Sequence, residues 1–126
     1  MPHCYVSVRR TYGPRRSELV RAVAAAMSSS LGTPPADNLV LLRELDPNCF
    51  HCGEGDEPDW TNVEVVMFPG RPLETKRALY GGICAALAGF GIDPMHVRFH
   101  IAEPGTDNWG IRGGRPAADF FRPKKL

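Results

Sequence analysis

Cys4-Tyr5-Val6-Ser7-Val8 alternates apolar with polar or ambivalent side chains, which is the two-residue period of a half-buried strand. Gly13-Pro14 then breaks the chain. From Ser17 through Leu31, the residues Leu19, Val20, Val23, Ala26, Met27 and Leu31 recur on one helical face. Gly32, Thr33, Pro34 and Pro35 stop that helix, and Leu39-Val40-Leu41-Leu42 follows as a short apolar strand of the kind a buried parallel pair tolerates. Strand, helix, strand is one complete unit. The same order returns about 56 residues later, with Asn62 to Phe68 as strand, Pro72 to Phe90 as helix and Met95 to Ala102 as strand, which is the mark of an internal duplication. At that offset Arg15 falls on Arg71, Glu18 on Glu74, Arg21 on Arg77 and Ala22 on Ala78. Right-handed crossovers make the strands of each unit parallel, so two units can join into a four-stranded sheet with both helices on one face. The expected fold is a two-layer α/β sandwich closed by a small C-terminal hairpin.

The expected organisation is a single domain over residues 1–126. Unit one covers 2–45, a connecting loop 46–60, unit two 61–114 and a tail 115–126. The loop is rich in turn formers and acids, and loops of that length are often functional. The basic stretch from Arg122 to Leu126 is expected to fray. With 15 basic and 14 acidic residues, the chain carries no long-range field that would recruit nucleic acid or an anionic membrane surface, so neither is expected as a partner. No apolar run is long enough to cross a bilayer, and no basic-then-apolar leader opens the sequence, so the expected location is cytoplasmic.

Four cysteines are too few and too scattered for a disulfide framework, and they read as free thiols. Cys4 and Cys84 fall within apolar faces and read as small core residues. Cys49, His51 and Cys52 could offer three metal ligands, but a structural zinc site needs a fourth and the chain has no second cysteine pair, so no metal is expected. His96, Arg98 and His100 alternate along a strand and therefore share one face, where surface or interface roles are expected for the histidines.

Pro69-Gly70-Arg71-Pro72-Leu73-Glu74-Thr75-Lys76-Arg77-Ala78-Leu79 resembles the Gly-Arg-x-x-Glu-x-Lys-Arg segment of 4-oxalocrotonate tautomerase. Asn108-Trp109-Gly110-Ile111-Arg112-Gly113-Gly114 resembles that enzyme's aromatic-Gly-Ile-Gly-Gly hairpin. Together with Met1-Pro2 and the doubled unit, these segments resemble the tautomerase superfamily over nearly the whole chain. They are closest to the branches in which one chain carries two units: the fused tautomerases, malonate semialdehyde decarboxylase and cis-3-chloroacrylic acid dehalogenase. The resemblance implies a cofactor-free enzyme, a small carboxylate-bearing substrate and a homotrimer.

It also assigns roles. Removal of Met1 would leave Pro2 with a secondary amine, and burial beside cations lowers an amine's pKa until the neutral form can abstract a proton next to a carbonyl. Arg71 precedes the first turn of the second helix, where free N–H groups favour an anion, and it is the expected catalytic partner that holds substrate carboxylate or carbonyl. Arg98 matches a substrate-binding arginine, and Trp109 matches the hairpin aromatic that dries the site. Asp37 lies where the decarboxylase branch carries a functional aspartate, although an acid also suits a plain turn. Arg15 is the first-unit counterpart of Arg71 and could bind substrate in a second pocket. That pocket should be inert, since Pro58 at the equivalent offset is an amide. Leu73 and Glu74 leave the arginine pair of the dehalogenase-type branch incomplete. The expected activity is keto-enol tautomerisation of a small 2-oxo acid. The alternatives are hydration, dehalogenation or decarboxylation with protonated Pro2 as acid, and an inactive trimeric interaction module.

Overall fold

The computed structural model describes residues 1–121. Its main sheet comprises β1 (His3–Val8), β2 (Leu39–Glu44), β3 (Thr61–Val66) and β4 (Val97–Ala102) in the order β2-β1-β3-β4. The crossover helices are α1 (Arg16–Leu31) and α2 (Leu73–Ala88). β1 runs parallel to β2, β3 runs parallel to β4, and the two units meet through the antiparallel pair β1 and β3. A two-stranded ribbon, β5 (Gly110–Ile111) and β6 (Arg115–Pro116), follows unit two. This is the duplicated α/β sandwich expected from the periodicities.

Alternation decides which face is covered. Cys4, Val6 and Val8 on β1, and Val63 and Val65 on β3 with Met67 beyond it, are fully buried against Leu19, Val23 and Met27 of α1 and Leu79, Ile83 and Leu87 of α2. The helical residues recur every four positions, so each helix turns one stripe to the sheet. Each such side chain contributes about 1.5–3 kcal/mol by leaving water. Gly32, at φ 70°, closes α1 in the left-handed conformation, and its N–H donates to Ser28 O at 2.9 Å.

Three sequence boundaries are corrected. The strands of the two units superpose at a shift of 58 residues (His3 to Thr61) and the helices at 57 (Arg16 to Leu73), because the units differ in their connections. Trp60 rather than Pro58 therefore holds the place of Pro2, and Arg15, at the N-cap of α1, corresponds to Pro72 rather than Arg71. Residues expected to begin the tail are built into the fold: Arg115–Pro116 completes the ribbon and Ala117 is fully buried. The stretch from Arg122 to Leu126 lies outside the described residues. Finally, Pro94–His96 forms a 3-10 turn before β4, so His96 does not share the strand face of Arg98 and His100.

Candidate active site

β1 begins in the middle of the sheet. Leu39 N–H donates to Pro2 O at 3.1 Å, and His3 pairs with both Leu39 and Val66. Pro2 is buried. The chain leaves β3 at this same end. Gly70, at φ 114°, turns it through a conformation other residues rarely adopt, and Arg71 folds back so that its Nη1 donates to Phe68 O at 3.4 Å. α2 starts two residues later, beside an ion pair between Lys76 and Glu103 at 2.6 Å.

The segment after β4 covers this end. Trp109 is buried, its Nε1 donates to Pro104 O at 3.1 Å, and its carbonyl accepts from Ala117 N–H at 2.8 Å. Its ring meets His3 edge-on at 5.0 Å and Phe68 at 5.1 Å, and Phe121 packs on Phe68 at 5.5 Å. The ribbon turn carries positive φ at Arg112, Gly113 and Gly114, which brings the chain straight back over the strand end.

Electrostatics ties the cluster together. The terminal amine, on Met1, titrates below its ordinary value because burial penalises its charged form. The Asp37 carboxylate opposes that shift and the Arg71 guanidinium adds to it. Asp37 ends the 3-10 turn Pro35–Asp37 that delivers the chain to β2. His3 is likewise lowered, first by burial and then by the amine. Pro2, Arg71, Asp37 and Trp109 therefore occupy one end of the sheet. An amine whose charged form is penalised, a guanidinium and a helix start beside an aromatic cover are the groups that proton transfer next to a carbonyl calls for.

Two expected residues stand elsewhere. Arg98 pairs in register with Asn62, four residues along β3 from the Val66 that meets His3, or about 13 Å at strand rise. Its guanidinium pairs with Glu54 at 3.3 Å and lies 5.8 Å from the Trp60 ring centre. Arg15 is at that far end too, donating to Gly89 O at 3.3 Å and lying over the Phe90 ring at 4.3 Å. The far end holds a cavity of about 340 Å³ bordered by Arg98, Trp60, Cys49, His51 and Cys52. Among the described residues, no three His, Cys, Asp or Glu side chains are gathered to hold a metal ion. The residues the sequence reading missed are His3, Phe68 and Phe121. Alternation alone would have put His3 on the face of Tyr5, whereas no local pattern announces Phe121.

The fold defines a double β-α-β protein with a candidate site at the first strand's start. Residues 37–112 match the model of the family described as tautomerase enzyme, and the chain belongs to that family. It is similar to a crystal structure of native fused 4-OT, at 24% identity over 94% of this chain and 98% of that one, with a TM-score of 0.84. A fused 4-OT wild-type symmetric trimer matches at 25% identity over 91% and 95%, with a TM-score of 0.81. FG41 malonate semialdehyde decarboxylase inhibited by 3-bromopropiolate matches at 25% identity over 94% and 92%, with a TM-score of 0.76.

Proposed function

We propose that the chain is a keto-enol tautomerase for a small 2-oxo acid, with Pro2 as general base once Met1 has been removed. The observation that carries this is the gathering of buried Pro2, Arg71, Asp37 and Trp109 at one end of the sheet, where burial and Arg71 lower the amine of Met1. Loss of Met1 moves the amine one residue inward, onto buried Pro2, where desolvation acts in the same direction. The neutral amine takes the proton next to the carbonyl, Arg71 holds the oxyanion or the carboxylate, and the protonated amine returns the proton to carbon. No step needs a cofactor. Base chemistry needs the amine neutral at working pH, whereas hydration or decarboxylation needs it protonated, so the pH dependence of the rate separates the two.

Arg98 stays in this reading as a carboxylate binder supplied by a neighbouring protomer of a homotrimer, since it is remote from Pro2 within one chain. Asp37 opposes the shift of the amine and keeps it from falling too far. Arg15 belongs to the far end and takes no part in proton transfer. Among the described residues no helix is long and apolar enough to cross a membrane.

Intact mass and phenylenolpyruvate ketonisation, measured on the native chain and on Pro2→Ala, test the reading. The expected result is a mass lacking Met1 and a rate at least about 10²-fold lower in the variant. Retained Met1, or an undiminished variant rate, overturns it.

A further inference from the structure

The far end of the sheet is the structural twin of the Pro2 end. The loop after β2 opens with the 3-10 turn Pro47–Cys49 and folds over the start of β3, as the segment after β4 opens with Thr106–Asn108 and folds over the start of β1. Where the Pro2 end has an amine, this end has Trp60, and where the ribbon carries Trp109, the loop carries Cys49-Phe50-His51-Cys52. Cys49 is exposed and Cys52 buried, both border the cavity with Arg98, and its size suits a small molecule.

We infer that this cavity is a thiol-bearing site for small electrophilic carboxylates, with Arg98 holding the carboxylate and Cys49 forming the covalent bond. The Arg98 guanidinium already carries a carboxylate, that of Glu54, in a pair more than half exposed on both sides. Such a pair contributes little and yields readily to an incoming anion. Arg9 adds positive charge. It lies 5.8 Å from the Phe50 ring centre and donates to Glu57 O at 3.2 Å, while its buried Nε has no partner among the described residues. The Glu57 carboxylate is turned away, accepting from Trp60 Nε1 at 2.8 Å.

A carboxylate docked on Arg98 places its neighbouring carbons in the cavity that Cys49 borders. With a conjugated unsaturated acid, the Cys49 thiolate adds to the β-carbon, the π pair moves to the α-carbon, and that carbon takes the proton the thiol gave up. This site rests on the proposed function in its use of Arg98 as a carboxylate clamp. One guanidinium serves one anion at a time, so a carboxylate held beside Cys49 competes with substrate at the neighbouring protomer's Pro2. The labelling does not require Pro2 to be a base.

Paired alkylation with iodoacetate and iodoacetamide tests the inference. In each reaction sulfur displaces iodide from carbon, and the thiol proton goes to buffer; the reagents differ in carrying a carboxylate or a neutral amide. A free thiol reacts faster with the neutral reagent. Here the preference at Cys49, followed by peptide mapping, is expected to invert towards iodoacetate. Arg98→Gln should lower the iodoacetate rate about tenfold, as loss of a charged hydrogen bond implies, with the iodoacetamide rate unchanged. Glu54→Gln, which frees the guanidinium, should raise the iodoacetate rate. Pro2→Ala should abolish ketonisation yet keep the labelling ratio, so the two readings fail separately. An iodoacetate-to-iodoacetamide ratio unaffected by Arg98→Gln, or label on Cys52 or Cys84 in place of Cys49, overturns the site.

Discussion

The chemistry proposed for Pro2 rests on where β1 begins. A strand starting at a sheet edge would leave its first nitrogen in water. This one starts between two neighbours, with Leu39 and Val66 on either side of His3 and Trp109 above. Burial lowers the amine of Met1, Asp37 raises it and Arg71 lowers it, and the same two charged neighbours make opposite predictions for the amine of Pro2 once Met1 is removed. The rate constant kcat/KM should rise with pH as the amine loses its proton, along a limb centred below the ordinary terminal-amine value of about 7.7–8.0. Asp37→Asn removes the raising influence and should move the limb to lower pH. Arg71→Lys keeps a positive charge and should hold the limb in place, while losing the bidentate fork and with it about 10²-fold in rate. pH profiles of phenylenolpyruvate ketonisation check both. Sequence alone offers Pro2, Arg71 and Trp109 as candidates, because each sits in a local motif, and the fold brings them to one end of the sheet. It could not name Phe121, whose contact with Phe68 is made only when the chain after the ribbon folds back. Among the thiols, burial pushes Cys4 up to about 12, so native-state alkylation should spare it while consuming the exposed Cys49.

In unit one the second strand is held to the start of the helix by side chains that periodicity does not reveal. Glu44, at the end of β2, accepts from Tyr12 N–H at 2.6 Å and from Arg16 Nε, fixing the turn between β1 and α1. Burial alone would raise its pKa, but the bonds from Tyr12, Arg16 and Thr11 outweigh burial and lower it. A depressed folded-state value means stability that is present above the unfolded pKa of about 4.3 and is lost as pH falls through the folded value. Glu44→Gln should therefore cost about 1–2 kcal/mol at pH 7, and the difference should shrink below about pH 4 in urea denaturation. In unit two Asp59 instead ties the entry to β3 to the turn before β4, accepting from Asp93 N–H at 2.9 Å and bonding His96 Nδ1 at 2.8 Å. The strands and helices were legible because each buries one face, and burial writes itself into the sequence with a period of two or of about 3.6. The relation between the units was read less well. Alternation says which face Arg98 takes but not at which end of the sheet it stands, and only the register of β3 against β4 settles that. The Arg15–Arg71 match was misleading for a similar reason, since each connection sets its own length and equal spacing from a glycine turn is not equal place in the fold.

One face of the sheet is covered by helices; the other carries Leu39, Leu41 and Arg43 of β2 beside His3, Tyr5 and Ser7 of β1, with Leu39 and Leu41 each 42% exposed. Apolar side chains aligned across adjacent strands and left open to water favour association, and a fused 4-OT of the same fold forms a symmetric trimer. In the proposed homotrimer, Leu41→Lys should give a monomer in sedimentation velocity, with helix content unchanged by circular dichroism. Ketonisation should fall with the trimer, because Arg98 would then have no neighbour to serve. That dependence can be isolated from stability. Pro2→Ala and Arg98→Ala chains are each deficient alone, the first lacking the base and the second the carboxylate clamp. If every site takes Pro2 from one protomer and Arg98 from the next, co-expressed chains assembling at random should restore about a quarter of the sites, since cyclic closure gives each protomer one neighbour on that side. Mixing the separately purified, non-exchanging trimers should restore none. Activity in the co-expressed sample no greater than the sum of the two variants would show that Arg98 works within its own chain or not at all, and Leu41→Lys would then lower activity only through stability.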